Sequence, residues 1–341
     1  MQLTIYHLPF TLSKIQPQNI LIIDFGQLGD VIMSLPALDA LRKKFPTAKI
    51  TVMVGKAGAS IVEIVGLADE VIMVDRIKLL RSNKIWAISQ IFKIVKDVRR
   101  RKFDFVIDLH SLYETNLLGF ISGAKLRLYA RRENRSLDFL SNFRPKPPLE
   151  DKKKHLTYFY LDALAPLGIE NKEAFVTFAP RLADIESIDK LLKENDIKDK
   201  TLIGINLGAG HPSRCWDIDK FASVAQKLSS ENTQILVFFG PEENDLVNEV
   251  KAKFPTDVII FNKLKLPELA AAFARLKVLI GNDTGPVHLG AVVGAPIVLI
   301  LDKRAPTIFL PLAKQMKIVN AGTIEEITVD EVFKATKEFL E

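Results

Sequence analysis

The chain has little of several features that define membrane proteins and disulfide-rich proteins. Cys215 is the only cysteine among 341 residues, so no intrachain disulfide can form, which is compatible with a reducing cytoplasm. No apolar run approaches the roughly 18 residues that a membrane-spanning helix needs. Residues 1–10 lack the basic cluster and long apolar segment of a signal peptide. From these absences we expect a cytoplasmic protein.

The composition is that of a globular protein with a mild excess of positive charge. Hydrophobic residues make up 48% and charged residues 26%, and 341 residues fit two domains better than one. The formal net charge of +6 favours acidic ligands. We interpret the basic cluster at 96–102 as a solvated helix end, whereas the cluster at 125–135 lacks helical periodicity. Neither cluster is interleaved with a series of aromatic residues, which argues against nucleic acid as a partner.

Short β-branched runs alternate with helical stretches along almost all of the chain, as in parallel α/β sheets. The alternation begins at residues 20–24 and resets around 171–180. We therefore predict two Rossmann-like doubly wound domains, residues 1–175 and 176–341, that face each other across a cleft and bind ligands at the carboxyl ends of their strands. The closing helix, residues 329–340, is a candidate to pack back on the N-terminal domain.

The most informative stretch is GNDTGPVH at residues 281–288, which lies between a strand-like apolar run and a helix-like one. We predict that Asp283 or Thr284 caps the helix and that Gly285 lets a ligand approach the backbone. Backbone N–H groups and the positive end of the helix dipole would suit a phosphate there. His288 follows Thr284 by four residues, which places both side chains on one helical face.

Two other loops that follow strands carry further candidates for anion and sugar binding. Residues 206–216 (NLGAGHPSRCW) predict a loop that folds over an anion, with Arg214 donating to phosphate. Residues 240–243 (GPEE) place Glu242 or Glu243 where a carboxylate can accept hydrogen bonds from ribose hydroxyls. Acidic residues favoured by the helix dipole are the alternative explanation for this second loop.

Asp30 and His110 are the candidates in the N-terminal half. Asp30 lies at the turn into a helix, where it is either an N-cap or a carboxylate at the rim of the cleft that accepts a proton. His110 follows another strand and is a candidate to line the acceptor side. Asp217 and Asp219 have the spacing of a metal-binding pair, but they open a helix, so capping explains them better and we predict no metal.

Taken in their order along the chain, these segments resemble the bacterial lipopolysaccharide heptosyltransferases, a glycosyltransferase family that uses ADP-heptose. The similarity runs from about residue 20 to 301 and includes DVIMSLPAL at 30–38, SRCW at 213–216, GPEE at 240–243 and DTGPVHL at 283–289. The resemblance implies a GT-B fold and an inverting, metal-independent transfer without a cofactor. It implies transfer of a heptose from ADP-heptose to an inner-core acceptor of lipopolysaccharide.

The resemblance also implies a role for each candidate residue. Asp30 is implied as the general base that deprotonates the acceptor hydroxyl, and Glu242 or Glu243 as the acid that binds the ribose. The residues implied to surround the donor's diphosphate are Arg214, which stands where the family usually has lysine, Asp283, Thr284, Gly285 and His288. The basic residues that we expect to hold an anionic, lipid-linked saccharide acceptor are Arg127, Arg131, Arg132 and Arg135.

Two departures from the family pattern leave alternatives open. Asp217 stands where the family often has proline, and DKRAP at 302–306 replaces a Gly-rich stretch that contacts the nucleotide. A GT-B transferase that uses another nucleotide sugar and a non-catalytic sugar-nucleotide-binding protein are therefore the alternative functions. Because the acceptor would be a lipid, peripheral attachment to the inner face of the cytoplasmic membrane is compatible with this hypothesis, although no long amphipathic anchor is evident.

Overall fold

The computed structural model describes residues 16–169, 173–195, 197, 199–208, 212–240 and 246–341. Over these residues the chain forms two compact units, each built on one parallel β-sheet. The first unit extends to Gly26 and continues over Ser34–Glu173. The second unit contains Ala174–Glu341 together with the short segment Gln27–Met33. The sequence pattern did not predict that this segment belongs to the second unit.

The first unit has a five-stranded parallel sheet in the order β3-β2-β1-β4-β5. The strands are β1 (Asn19–Asp24), β2 (Lys49–Gly55), β3 (Glu70–Val74), β4 (Phe105–Asp108) and β5 (Leu126–Tyr129). Ile23 in β1 lies opposite Met53 in β2 and Asp108 in β4. The strand order reverses between β1 and β4, so the carboxyl ends of these two strands form the topological switch point, where ligands of doubly wound sheets bind.

Six helices belong wholly or partly to the first unit. They are α1 (Leu28–Lys44), α2 (Lys56–Val65), α3 (Arg76–Arg81), α4 (Lys84–Arg100), α5 (Tyr113–Ile121) and α6 (Leu156–Asp162). Asn83 caps α4 by accepting a hydrogen bond from the backbone N–H of Trp86 at 2.8 Å. Helix α6 ends at Asp162, ahead of Pro166, which has no N–H to donate to the preceding turn.

The second unit has a six-stranded parallel sheet in the order β11-β10-β9-β6-β7-β8. The strands are β6 (Thr201–Asn206), β7 (Thr233–Phe238), β8 (Ile259–Phe261), β9 (Val278–Asn282), β10 (Ile297–Asp302) and β11 (Met316–Ala321). Asn206 pairs with Gly281 at the carboxyl ends of β6 and β9, where the strand order reverses. This switch point lies beside the stretch 281–288, as the sequence predicts.

The remaining helices cover the second sheet. They are α7 (Leu182–Glu194), α8 (Ile218–Leu228), α9 (Val247–Lys253), α10 (Leu266–Phe273), α11 (Gly285–Val292) and α12 (Val329–Leu340). The closing helix α12 buries Val332 and Ala335 in the core of the second unit, together with Phe221 of α8. The apolar face of α12 is therefore accounted for by the second unit's own core.

The two parallel-sheet units confirm the predicted fold class of two Rossmann-like α/β domains. Within the described part of the chain, no helix combines the length and the apolar character that crossing a bilayer requires. The strands are almost continuous apolar runs because helices cover both faces of a parallel sheet.

Candidate functional site

The start of α11 provides an anion-binding geometry in the second unit. Thr284 is the N-cap residue, with an extended backbone (φ −147°, ψ 161°), as predicted, but its side chain does not cap the helix. Instead the Thr284 hydroxyl oxygen accepts a hydrogen bond from Asn206 Nδ2 at 3.3 Å. The backbone N–H of Gly285 has no acceptor among the described residues. This uncapped helix start can therefore donate to an anionic ligand.

The first turn of α1 packs against this helix start, and both lie in the second unit. A Cβ atom on Gly29 would lie 3.5 Å from both Cδ2 and Nε2 of His288. A Cβ atom on Gly285 would lie only 2.9 Å from Cδ2 of Leu28. The two glycines thus allow a close approach of the two helices, which brings the turn that carries Asp30 beside the predicted phosphate site.

Asp30 is the third residue of α1 and is half-buried. Its Oδ2 atom accepts a hydrogen bond from the backbone N–H of Gln27 at 2.9 Å. Asp30 is therefore not the N-cap residue. Its carboxylate reaches back to the helix start as the acid of a capping box does, which fixes its position.

His288 and Asp283 form a pair beside the same helix start. The Nε2 atom of His288 lies 3.6 Å from Oδ1 of Asp283, and the His288 side chain is buried. Because that distance exceeds a hydrogen bond, the two groups interact through charge when the imidazole is protonated. This arrangement is compatible with the supporting role expected of both residues.

Asn282 connects two loops of the site, and the sequence reasoning missed it. Its Oδ1 atom accepts a hydrogen bond from the backbone N–H of Trp216 at 3.0 Å. Its Nδ2 atom donates to the carbonyl oxygens of Leu207 at 3.0 Å and Gly208 at 3.3 Å. Asn282 is fully buried, so these bonds hold both ends of the loop after β6, which carries Arg214, against the end of β9. A buried asparagine at a strand end was the available signal.

A cavity of about 260 Å³ opens next to this helix start in the second unit. The polar residues that line it are Ser213, Arg214, Asp283, Asp302 and Arg304. Arg214 is exposed on a 3₁₀ turn and makes no ion pair within the described residues. The guanidinium of Arg304 donates to both carboxylate oxygens of Asp302 and lowers the pKa of Asp302 to about 2. Arg214 is therefore the cation with the greater capacity to bind an added anion.

The tryptophan that follows Arg214 is a packing residue. Trp216 is buried, and its Nε1 atom donates to the carbonyl of Ile327 at 3.1 Å. Asp217 is the N-cap of α8, where its Oδ1 atom accepts from the backbone N–H of Asp219 at 2.7 Å. The capping interpretation of this acidic pair is therefore confirmed. The described residues contain no group of three His, Cys, Asp or Glu side chains placed to hold a metal ion.

The two candidate ribose-binding acids, Glu242 and Glu243, lie outside the described residues. The strand that precedes them, β7, ends at Phe238 in the same sheet as β6 and β9. Their role, and the choice between them, stays a prediction.

In the first unit, His110 lies beside a buried carboxylate at the switch point between β1 and β4. Its Nδ1 atom is 3.6 Å from Oδ1 of Asp24, which also accepts from the backbone N–H of Gly26 at 3.0 Å. Burial raises the pKa of Asp24, but the imidazole of His110 and hydrogen bonds from Ser34 and Gly26 outweigh it and hold that pKa below its usual value. The sequence reasoning identified His110 but not Asp24.

A second buried carboxylate, Asp108, lies at the end of β4. It accepts hydrogen bonds from the backbone N–H of Ser111 at 2.8 Å and from Asn116 Nδ2 at 2.6 Å. Burial nevertheless raises the pKa of Asp108 to about 6. Asp108 therefore changes its charge near neutral pH.

The structure gives Arg132 internal partners rather than a free guanidinium. It forms an ion pair of 2.5 Å with Glu150, and both side chains are largely buried. It also donates to the carbonyl of His110 at 2.9 Å and lies 4.3 Å from the centre of the Phe159 ring. Arg132 thus holds the loop after β5 in place, and these internal partners leave its guanidinium less available for the acceptor binding that we expected of it.

The other basic candidates of this region divide into two groups. Arg127 donates to the carbonyl of Leu140 at 3.1 Å, and Arg131 pairs with Asp138 at 3.0 Å. Both guanidinium groups are therefore committed to local structure, Arg127 to a backbone carbonyl and Arg131 to a carboxylate. Arg135 is exposed and makes no ion pair within the described part of the chain. Of the four arginines, Arg135 alone has no internal ion pair or hydrogen bond among the described residues, and the acceptor role of this group stays a prediction.

Comparison with known sequences assigns the chain to a family. The family described as "Glycosyltransferase family 9 (heptosyltransferase)" matches residues 91–337. The chain belongs to glycosyltransferase family 9. The resemblance seen in the sequence motifs is thus confirmed, and the protein is a family 9 glycosyltransferase.

Several characterised proteins are similar to this family 9 glycosyltransferase. Lipopolysaccharide heptosyltransferase 3 of Escherichia coli is 24% identical over 311 residues, which covers 88% of each chain. A glycosyl transferase family 9 structure from Veillonella parvula superimposes with a TM-score of 0.81 at 25% identity, covering 95% of this chain and 97% of that one. The E. coli ADP-heptose LPS heptosyltransferase II gives 0.78 at 18% identity, covering 94% and 98%. These similarities support a GT-B type fold.

Proposed function

We propose that this family 9 glycosyltransferase transfers a heptose from ADP-heptose to an inner-core acceptor of lipopolysaccharide. The observation that carries the proposal is the packing of Gly29 on His288 and of Leu28 on Gly285, which brings Asp30 beside the start of α11. A proton acceptor and an anion site thereby share one region. The relatives named as lipopolysaccharide heptosyltransferases support the choice of sugar and acceptor.

The donor's diphosphate would bind at the uncapped start of α11. Breaking the bond to the sugar builds negative charge on ADP, which the N–H of Gly285, the helix dipole and Arg214 would stabilise. Each such preorganised donor commonly contributes about 3 kcal/mol to the transition state. Thr284 would add a hydroxyl, and Glu242 or Glu243 would accept hydrogen bonds from the ribose.

Asp30 would act as the general base that removes the proton from the acceptor hydroxyl. The hydrogen bond from the backbone N–H of Gln27 fixes the carboxylate at the start of α1, and an ionised carboxylate is a group that can accept a proton. A single base with no covalent intermediate leads to inversion at the anomeric carbon. Because the charge on the leaving group would be met by Arg214 and by backbone N–H groups, we propose that the transfer needs neither a metal nor another cofactor.

The stereochemical and metal proposals are tested together. With ADP-β-heptose as donor, the anomeric signals of the product in an NMR spectrum are expected to show the α linkage. Turnover is expected to persist after the enzyme is treated with EDTA. A product that keeps the donor's configuration would overturn inversion, and a loss of activity that Mg²⁺ or Mn²⁺ restores would overturn metal independence.

The donor is tested by calorimetric titration with ADP, UDP and GDP, followed by turnover with the matching nucleotide sugars. We expect ADP to bind at least tenfold more tightly than the other two, and ADP-heptose to be the donor that is consumed. A preference for UDP or GDP would instead indicate a transferase of the same fold with another donor. Nucleotide binding without turnover of any donor would indicate a non-catalytic protein.

The acceptor would be an anionic saccharide linked to a lipid, which Arg135 could contact from the exposed loop after β5. The proposed site of action is the inner face of the cytoplasmic membrane, where such an acceptor meets the cytoplasmic pool of nucleotide sugars. Charge reversal at Arg135 is expected to raise the KM for the acceptor and to leave the Kd for ADP unchanged. An unchanged acceptor KM would remove Arg135 from the proposal.

A further inference from the structure

The outer face of α4 exposes a row of large apolar side chains. Ile85, Ile88 and Phe92 follow one another at spacings of three and four residues, which places them on one side of the helix. Ile85 is 84% exposed and Phe92 is 71% exposed. Contiguous exposed apolar surface of this kind marks an interaction site rather than ordinary solvent-facing surface.

The apolar surface continues onto α3 and into a groove. In α3, Ile77 and Leu80 are exposed, and Leu80 also lines a groove of about 460 Å³ in the first unit. Ile91 of α4 is both exposed and part of that groove. We call this surface of α3 and α4 the α3–α4 face. Its apolar part therefore spans two helices and the groove that they border.

Unpaired positive charges surround the apolar part of the α3–α4 face. These exposed basic residues, which form no ion pair within the described chain, are Arg81, Lys84, Lys93, Lys96 and Arg99. The only carboxylate of α4, Asp97, is already held by Arg100 at 2.8 Å and Arg101 at 2.7 Å. Lys96 continues the row of Phe92 one turn later. The face therefore combines exposed apolar side chains with an uncompensated positive charge.

We propose that the α3–α4 face binds the surface of an anionic phospholipid bilayer. Apolar side chains that enter the boundary between headgroups and acyl chains, flanked by lysine and arginine that contact anionic headgroups, are the features of an interfacial helix. A two-fold contact between copies of the chain would bring these like charges together, which disfavours a second copy as the occupant. This inference names the surface that would place the proposed function next to its lipid-linked acceptor.

The basic cluster at 96–102, interpreted from the sequence as a solvated helix end, does lie at the end of α4, where Lys96, Arg99 and Arg100 are exposed. The proposed membrane-binding surface is formed by α3 and α4 together, because neither helix alone carries the whole apolar surface.

The test measures binding of the full-length protein to vesicles by flotation. Vesicles of phosphatidylcholine alone are compared with vesicles that contain about 30% phosphatidylglycerol, an anionic lipid that gives the vesicle surface a negative potential. We expect wild-type protein to float with the anionic vesicles and at least tenfold less with the neutral ones. Raising the salt concentration is expected to weaken the binding, because exposed charges are screened.

Two pairs of variants assign the binding to the α3–α4 face. Phe92→Glu is expected to lower the vesicle partition coefficient at least tenfold, whereas Leu182→Glu, at a side chain of the second unit that is 70% exposed, is expected to leave it unchanged. The double variant Lys93→Glu/Lys96→Glu is expected to have the same effect as Phe92→Glu. Its control is Lys251→Glu/Lys334→Glu, which changes two exposed lysines of α9 and α12.

Several outcomes would overturn the proposal. These are no flotation of the wild type, equal flotation with neutral vesicles, or equal loss in the control variants. A change of molecular mass in sedimentation of Phe92→Glu would indicate a contact between copies instead. Circular dichroism melting checks that each variant is folded. Titration with ADP is measured separately, so failure of the proposed transfer and failure of membrane binding are distinguishable.

Discussion

Gly29 lies against the imidazole of His288, so that a methyl group on Gly29 would stand 3.5 Å from both Cδ2 and Nε2 of the ring. This contact joins the first turn of α1 to the start of α11. It places the residue that follows Gly29, the proposed base Asp30, next to the proposed diphosphate site. The spacing at Gly29 is an ordinary van der Waals contact, whereas the matching approach at Gly285 is tighter.

The first prediction concerns that tighter approach. In Gly285→Ala, the new Cβ would lie 2.9 Å from Cδ2 and 3.1 Å from Cβ of Leu28, so the Leu28 side chain must move, and we expect the turn that it shares with Asp30 to shift with it. Overpacking of this kind costs about 1–3 kcal/mol. We expect kcat/KM for transfer to fall about tenfold, while Gly29→Ala, with its looser contact, changes it less than twofold.

A second substitution separates crowding from direct loss of the phosphate site. Leu28→Ala removes Cδ2 and Cγ, two of the three atoms that a Cβ on Gly285 would meet, and leaves only the Cβ of residue 28 at 3.1 Å. We therefore expect the double variant Gly285→Ala/Leu28→Ala to recover most of the lost kcat/KM relative to Leu28→Ala alone. If the losses simply add, the packing between α1 and α11 does not control the position of Asp30.

The second prediction tests Asp30 as the proton acceptor. Asp30→Asn keeps an oxygen that can accept from the N–H of Gln27, but an amide cannot take the acceptor's proton. General-base catalysis contributes about 10²–10⁴-fold, so we expect kcat to fall in that range while the Kd for ADP changes less than twofold. Asp30→Ala is expected to lose the same turnover and also about 1 kcal/mol of stability, because the helix loses its capping acid.

The outcome that would contradict this assignment is retained turnover in Asp30→Asn. A parallel loss of ADP binding would also contradict it, since that result would give Asp30 a role in holding the donor. Rapid-quench measurement of the chemical step separates these effects from product release.

Much of the fold was predictable because strand and helix periods are local properties of the sequence. The alternating pattern indicated two parallel-sheet domains, and the stretch 281–288 indicated a helix start at a strand end with Asp283 or Thr284 as the N-cap. The assignment of Gln27–Met33 to the second unit was not predictable, since it depends on packing against α11, which is more than 200 residues away.

The same difference between local and long-range determinants separates the site residues. The role of Asp217 as a helix cap could be predicted, because capping depends only on its position at the start of a helix. Arg132 appeared free in the sequence, yet its partners Glu150 and Phe159 come from other segments. A count of basic residues cannot show which guanidinium groups are already paired, because that depends on tertiary contacts.

The third prediction concerns Asn282, which the sequence reasoning missed. Asn282→Ala removes its three hydrogen bonds and leaves the N–H of Trp216 without its acceptor. We expect the free energy of unfolding to fall by about 2–4 kcal/mol and the Kd for ADP to rise severalfold. Denaturant unfolding and calorimetry measure the two effects.

The matched control for Asn282 is Asn195→Ala, in which an exposed asparagine loses one hydrogen bond to the carbonyl of Leu191. We expect that change to cost less than about 1 kcal/mol. Asn282→Asp is also expected to lower the free energy of unfolding, since a carboxylate cannot donate to the carbonyl of Leu207. Wild-type stability in Asn282→Asp would show that the two donated bonds are unimportant.

The fourth prediction compares the two arginines of the cavity. Arg214 has no ion-pair partner within the described residues, while the charge of Arg304 is engaged by Asp302. Arg214→Ala is therefore expected to raise the Kd for ADP by about 10–100-fold, and Arg304→Ala by less than about fivefold. Arg214→Lys should keep part of the affinity, because lysine preserves the charge without the bidentate geometry.

A substitution at Asp302 tests the same comparison through a change that should strengthen ADP binding rather than weaken it. Asp302→Asn removes a negative charge from the cavity and frees the Arg304 guanidinium. We expect the Kd for ADP to fall, and the gain to disappear in Asp302→Asn/Arg304→Ala. Weaker binding in Asp302→Asn would indicate that Asp302 itself holds the nucleotide.

The last prediction concerns the stability of the protein as a function of pH. Burial raises the pKa of Asp108 to about 6 from its ordinary value of 3.8, so between these values the folded state binds more protons than the unfolded state. The free energy of unfolding should therefore decrease as pH rises through this window, by up to about 3 kcal/mol from this residue. Asp24 affects stability at lower pH. Because its pKa is held below the usual value, its contribution to the free energy of unfolding is present above about pH 4 and is lost on further acidification.

Asp108→Asn is expected to remove most of this slope, since the amide has no charge to bury at high pH. Urea unfolding at pH 4.5 and pH 7 measures the difference for the wild type and the variant. Asp302→Asn serves as the control, because Asp302, with a pKa near 2, titrates below the window and its loss should leave the slope unchanged. A wild-type slope that survives in Asp108→Asn would place the titrating group elsewhere, and a stability difference that moves in favour of the wild type over Asp108→Asn as pH rises would give Asp108 the opposite sign.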